Sequence, residues 1–419
     1  MNWILTLIVC FLIAEAFVET WLSRLNIRSF AKQVPERISS VFTQEKLDIA
    51  RNYYSDKSRL NNILTFFKLA LILVLLFSGA LDMIDNIAKD IFPNKIGHSF
   101  AFFAILLIGA DILMIPFQWY SVFSIEQKYG FNKMTPLIFI ADKIKSIIVS
   151  VLFGGIIFWL VFEIYYAYPE HFWILAWLVI VVFSLIMTMF YSNIIVPLFN
   201  KQKPLEAGEL RDEIEKFSRE NGFNLKNIYV INASKRSTKS NAYFTGIGPK
   251  KRIVLYDTLI EKHSSEEIVA VLAHEIGHYK KKHVALGFLF SVIYYLLIMY
   301  LLNIFLTHSE FAEAIGMQPS VHASLLIFIL LFNPVSMLIG IFINNISRKH
   351  EFEADKFAVL ATKSDALSSA LIKLHVDNLS NPTPHKNYVF VYYSHPPLLE
   401  RLKAIDKLQA DSNISDNKN

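Results

Sequence analysis

The sequence predicts an all-α membrane protein of seven transmembrane helices enclosing an internal chamber, with an α+β domain on one membrane face. Three observations predict it. Of 419 residues, 54% are hydrophobic and 18% charged, where a soluble domain carries about 25% charged residues. A mean hydropathy of +0.39 over that length cannot fold into a water-facing globule without a very large exposed apolar surface. Seven segments reach the roughly 20 mostly apolar residues that a spanning helix needs, and the basic residues are divided sharply between alternate loops. Disorder, collagen-like repeats and a disulfide scaffold are excluded, the last because Cys10 is the one cysteine.

The apolar segments run Trp3–Trp21, Asn62–Met83, Phe100–Tyr120, Ser146–Ala167, Phe172–Tyr191, Val284–Leu306 and Ala323–Ile343. Ala14-Glu15-Ala16 mimics a signal-peptide cleavage site. No positive residue precedes the first run, however, and the basic stretch follows it, so it reads as an uncleaved span. Residues 22–59, 121–145, 192–283 and 344–419 hold 38 of the Lys and Arg residues, whereas 84–99, 168–171 and 307–322 hold 2. An odd number of spans is required for this alternation. The positive-inside rule then puts the basic side in the cytoplasm, with the amino terminus outside and the carboxyl terminus inside. The membrane is a bacterial inner membrane or that of the endoplasmic reticulum. Topology accounts for the net charge of +5, so no nucleic-acid partner is needed; membrane lipid is the surrounding medium.

Four regions follow from this division. Residues 1–191 hold five spans, 192–283 a cytoplasmic segment, 284–343 spans six and seven, and 344–419 a second cytoplasmic segment. Glu15, Glu19, Lys68, Asp82, Asp111 and Asn333 lie within the spans or at their ends. A charge at membrane depth costs about 2.5–3.5 kcal/mol unless it faces the bundle interior or a wet cavity. Glu19 and Asp82, near span ends, read equally well as snorkelling residues. Asp111, eleven residues into its span, signals an internal polar chamber.

In the first cytoplasmic segment, Leu205–Asn221 reads as a charged amphipathic helix closed by Gly222. Ile228–Ile231, Asn241–Phe244 and Arg252–Tyr256 read as short strands, the last two joined by a hairpin loop at Gly246–Lys250. Ser264 and Glu267 form a capping box that opens a helix. That helix carries His274-Glu275-Ile276-Gly277-His278. Two histidines four apart share a helical face, so both imidazoles reach one zinc ion. The intervening glutamate is placed to take a proton from the reacting water without filling a ligand position. The pattern also arises by chance on ordinary amphipathic helices. Here it sits beside small Ala273 and Gly277, in a capped helix that leads into a span.

A catalytic zinc needs a third protein ligand. His283 is out of register: the extended three-histidine pattern wants glycine at position 281 and histidine at 284, where this chain has Lys281 and Val284. It reads instead as a capping or interfacial residue. Glu351 and Asp355, beyond the seventh span, are four apart and share a face, while Glu353 is turned by about 200° and reads as a solvated neighbour, with the ligand role as its alternative. Of the first two, one carboxylate binds zinc and the other orients an imidazole through its free nitrogen.

These residues resemble a known family. His274–His278, Glu351-Phe352-Glu353-Ala354-Asp355 and the run Tyr393–Leu402 with His395 and Arg401 are similar to motifs of the type I CAAX prenyl proteases, integral-membrane zinc endopeptidases that process prenylated proteins. Tyr129–Thr135, Pro197–Asn200, Asn241–Phe244 and Lys251–Leu259 resemble further stretches, so the likeness runs from about residue 120 to 405. The resemblance implies seven helices around a water-filled chamber, roofed by a cytoplasmic catalytic domain. It implies one Zn2+ per chain on His274, His278 and Glu351, with Glu275 as base and Asp355 supporting a ligand. It further implies His395 beside the reacting carbonyl, Arg401 at the site and against substrate, and Asn241, Ala242 and Tyr243 in a strand that binds the substrate backbone. The substrate is then a peptide or protein, prenylated in the family's CAAX cleavages, from which a C-terminal tripeptide is removed. Two other readings remain at this point. One is a membrane-protein quality-control protease with no prenyl requirement. The other is a zinc-stabilised scaffold, against which Glu275 is superfluous and a structural zinc usually has four protein ligands.

Overall fold

Side-chain caps, rather than hydropathy, set where most of the long helices begin. In the computed structural model, which describes residues 2–223, 228–245, 252–308 and 310–416, seven helices are long and apolar enough to cross a membrane. They are Trp3–Arg28, Gln44–Phe77, Lys95–Glu126, Pro136–Ala167, Pro169–Phe199, His283–Leu306 and Val321–Thr362. Thr43 and Thr135 accept from the backbone N–H groups of Lys46 and Ile138, each at 3.3 Å, well ahead of the apolar runs. Pro136 fills the first helical position, where its missing N–H is harmless. Most helices therefore outlast the apolar segments the sequence predicts.

The second is the exception. It was expected to reach Met83 but stops at Phe77, and Ala80–Ile91 forms a separate amphipathic helix. Gly79, at φ +75°, makes the break, because a left-handed turn costs glycine nothing and an L side chain about 1–2 kcal/mol. Asp82 is thus outside the spans, where it accepts from Asn86 at 3.3 Å.

Only 6–33% of the most apolar window of each span is buried within the chain. Most of the surface of these helices is therefore not covered by the chain itself, and cavities lie between them. Glu15, Glu19, Lys68 and Asn333 line one cavity of about 330 Å3 between the first, second and seventh spans, and Asn333 donates to Glu15 at 3.0 Å. Asp111 lies on a second cavity, of about 380 Å3, and accepts from Lys143 at 2.6 Å. Glu15 and Asp111 thus have polar partners, and Glu19 and Lys68 face the first cavity, as the cost of charge at this depth favours.

The basic loops come together on one side. Arg37 pairs with Asp406 at 2.8 Å, Tyr53 donates to Glu126 at 2.6 Å, and Arg236 pairs with Asp142 at 2.7 Å. Phe30, Ile38, Phe42 and Leu47 pack on Ile372, Val376, Leu398 and Leu402, so the first loop belongs to the same domain as the C-terminal helices. On the other side Asp85, His98 and His322 meet.

The sheet has four strands in the order β1-β2-β4-β3. These are β1 Gln202–Pro204, β2 Ile228–Ile231, β3 Ala242–Thr245 and β4 Arg252–Tyr256. β2 pairs parallel to β4, and the two outer pairs are antiparallel. The three predicted strands are present, β3 one residue later than expected, and β1 is an addition. The amphipathic helix is Glu209–Glu220, and the predicted hairpin loop lies outside the described residues.

Candidate functional site

The helix Ser265–Lys280 is fixed at its start by the predicted capping box. Ser264 Oγ accepts from the Glu267 N–H at 3.3 Å, and the Glu267 carboxylate accepts from the Ser264 N–H at 3.2 Å. Lys373 anchors that carboxylate at 2.7 Å, tying the cap to the helix Ala366–Asp377. The motif helix packs most closely against the end of Val321–Thr362. At 42 residues this last helix is about 63 Å long, twice the roughly 30 Å bilayer core. Its second half therefore projects beyond the membrane and carries Glu351 and Asp355. Gly277 sets the approach: a Cβ there would stand 3.0 Å from the Ala354 Cα and 3.1 Å from its carbonyl oxygen.

That contact closes a triangle. His274 Nε2 lies 3.1 Å from His278 Nε2 and 3.3 Å from Glu351 Oε2, and His278 Nε2 lies 3.3 Å from Glu351 Oε1. Ligand atoms on a tetrahedral zinc with bonds of 2.0–2.1 Å stand about 3.3 Å apart. Proton bookkeeping agrees. His274 Nδ1 is 2.8 Å from Asp355 Oδ1; a carboxylate accepts, so Nδ1 carries the hydrogen and Nε2 turns its lone pair inward. Glu351 is 3% exposed, and its Oε2 has no hydrogen bond. Burial opposes a charge on His274, yet the Asp355 and Glu351 carboxylates beside it push its pKa up to about 9. The pocket is built to attract a cation, and its two nitrogens and one carboxylate fit zinc.

Among the described residues, a second cluster combines Asp85, His98 and His322. Its contacts have a different length. His98 Nε2 and His322 Nε2 each lie 2.7 Å from Asp85 Oδ1, which is charge-assisted hydrogen bonding rather than the wider spacing of neighbouring metal ligands. The cluster ties three helices together on the far side of the membrane.

Around the triangle, the predicted residues divide. Glu275 faces a cavity of about 300 Å3, shared with His278, Phe244 and Gly287. His395 Nε2 is 3.2 Å from Glu351 Oε1 on a largely exposed ring. Asp355 stands behind His274. Arg401, expected against substrate, is 9% exposed and commits its fork to Asp355, at 2.6 and 2.8 Å. Burial works against its charge, but Asp355 holds its pKa above the usual value.

Glu353 is half exposed but not free: its Oε2 lies 3.2 Å from His283 Nε2, and His283 contacts His278. The sequence reading missed this contact because it took His283 as a capping or interfacial residue and Glu353 as a solvated neighbour, with nothing in their spacing to join them.

β3 closes one end of the sheet. Tyr256 N–H donates to the Asn241 carbonyl at 3.1 Å, and the register pairs Ala242 with Leu255 and Tyr243 with Val254. By antiparallel alternation, Asn241 and Tyr243 exchange bonds with β4, whereas Ala242 and Phe244 turn their N–H and C=O groups to the outer edge. The Tyr243 side chain packs on Ile231, Ala233 and Val254, with its ring edge-on to Tyr256.

Comparisons with known proteins agree with this site. Residues 24–201 match the CAAX prenyl protease N-terminal region of five membrane helices, and residues 204–409 match peptidase family M48. The chain is 36% identical to the CAAX prenyl protease 1 homolog of Arabidopsis thaliana, over 95% of this chain and 96% of that protein. It is 34% identical to CAAX prenyl protease 1 of Saccharomyces cerevisiae, over 94% of each. The crystal structure of S. mikatae Ste24p superposes with a TM-score of 0.92 at 32% identity, covering 97% of this chain and all of that one. With seven apolar helices and a His-His-Glu triangle at the junction of two distant segments, this chain belongs to peptidase family M48, in the branch with the CAAX prenyl protease membrane region, and is an integral-membrane zinc metalloprotease.

Proposed function

We propose that the chain cleaves CAAX proteins, releasing the C-terminal tripeptide that follows a prenylated cysteine, with one zinc ion held by His274, His278 and Glu351. The observation that carries this reading is the 3.1–3.3 Å triangle with Glu275 on the adjoining cavity. When bound, the zinc ion supplies Lewis acidity to the scissile carbonyl and acidifies water. Glu275 takes a proton from the attacking water and passes it to the leaving amine. His395 donates to the oxyanion as it forms. Asp355 orients His274, and Arg401 balances Asp355 rather than touching substrate. A peptide carrying a farnesylated cysteine should be cut after that cysteine at least tenfold faster than its unprenylated twin. Mass spectrometry of the products checks this; equal rates would move the chain to a protease without a prenyl requirement.

The substrate adds as a strand to β3, pairing with the outward groups of Ala242 and Phe244. Asn241 Oδ1 accepts from the Ala242 N–H at 2.8 Å, a local bond that an incoming carbonyl replaces. Ala242→Pro removes a donor that β4 does not use, so zinc content and thermal stability should hold while kcat/KM falls by about tenfold or more. Tyr243→Pro, whose N–H faces β4, should lose the fold instead. Normal cleavage by Ala242→Pro would remove strand addition from the reading.

The four basic segments, and with them the zinc ligands, face the cytoplasm, as the 38-to-2 division of Lys and Arg supports. The division into residues 1–191, 192–283, 284–343 and 344–419 follows from it. In a Cys10→Ser background, Lys235→Cys should be labelled from the cytoplasmic side and Gln318→Cys from the other. Labelling of both from one side would overturn the orientation.

A further inference from the structure

We propose that His283 and Glu353 form a positioning relay that sets the tautomer of His278 and thereby holds its Nε2 ready for zinc. The inference rests on His274, His278 and Glu351 being the ligands, and adds how the second histidine is oriented.

The hydrogens can be counted in one direction only. Glu353 Oε2 lies 3.2 Å from His283 Nε2. A carboxylate accepts and never donates, so His283 Nε2 carries the hydrogen and a neutral His283 keeps its lone pair on Nδ1. That Nδ1 stands 3.0 Å from His278 Nδ1, which must therefore be the donor. His278 is left with its lone pair on Nε2, the atom facing His274 and Glu351. His274 reaches the same state through Asp355 directly. The two ligating imidazoles thus have matched support, one from a carboxylate and one from a carboxylate acting through a second ring.

The intervening ring is held for this purpose. His283 is 6% exposed and stacks on His350 with centroids 3.9 Å apart and planes 6° from parallel. Lys282 before it adopts φ +61°, an uncommon backbone for a side-chain-bearing residue. That turn ends the motif helix and folds His283, the first residue of the sixth span, back onto His278. Glu353 alternates with Glu351 and Asp355 on its helix, so three carboxylates of one segment serve three separate tasks at the site.

The test uses the full-length protein in detergent or lipid, with zinc affinity measured by chelator competition and the melting point of the zinc-free form recorded beside it. Loss of an outer partner of a ligating histidine typically costs 10–100-fold in metal affinity. His283→Ala should weaken zinc binding by about that factor, and Glu353→Ala by less in the same direction. Glu353→Gln, which keeps an acceptor oxygen, should fall between wild type and Glu353→Ala. Because Glu353 acts through His283, the double variant should bind zinc no more weakly than His283→Ala alone. With zinc at saturation, KM for peptide should be unchanged in each.

Should His283→Ala fail to fold, the two Glu353 variants decide the matter, since that side chain is half exposed. Unchanged zinc affinity in Glu353→Ala, or additive losses in the double variant, would overturn the relay. Failure of the underlying ligand assignment looks different: the wild type itself would then not bind zinc through His274, His278 and Glu351.

Discussion

Glu275→Gln should keep the fold and its zinc yet lose about 10²–10⁴-fold in turnover, the usual contribution of a positioned acid–base group. Glutamine matches the glutamate in shape but cannot take up the proton of the attacking water. Glu275 sits between the two histidines on one helix and opens onto the cavity beside His278, while the triangle is completed by Glu351 from another segment. The loss should therefore appear in kcat, with KM and metal content close to wild type. Comparing turnover with zinc content on the same preparation checks it. Wild-type turnover would remove Glu275 from the chemistry and favour a zinc-stabilised scaffold.

What the sequence made legible was local and periodic. Seven apolar runs, the capping box at Ser264 and Glu267 and the four-residue spacings of His274/His278 and Glu351/Asp355 each encode one helical face. Their counterparts are present in the fold. The break at Gly79 was hidden because a single glycine in an apolar run leaves the hydropathy intact. β1 was hidden because three residues, Gln202–Pro204, have too little pattern to register. Contacts between distant segments carried no signal at all: Phe30 to Phe42 packing on the C-terminal helices, or Arg401 burying its fork against Asp355. His283 illustrates the limit best. Its register excludes it from the three-histidine ligand pattern, but only the folded turn at Lys282 reveals its contact with His278 and Glu353.

The largest expected effect on the metal comes from Glu351. It is buried, its Oε2 lacks a hydrogen bond, and its two oxygens each face a histidine nitrogen at 3.3 Å. Alanine there removes one of the three proposed ligands and leaves two imidazoles with no carboxylate between them. Zinc retention through dialysis should be lost, and with it peptidase activity. Glu353, two residues on, is half exposed and reaches the site only through His283. The measurement that bears most directly on the zinc-protease reading is therefore metal analysis of purified wild type, Glu351→Ala and Glu353→Ala after dialysis against micromolar zinc. One zinc per chain in the wild type and in Glu353→Ala, with almost none in Glu351→Ala, is the predicted result. Full zinc in Glu351→Ala, or its loss in Glu353→Ala alone, would contradict it.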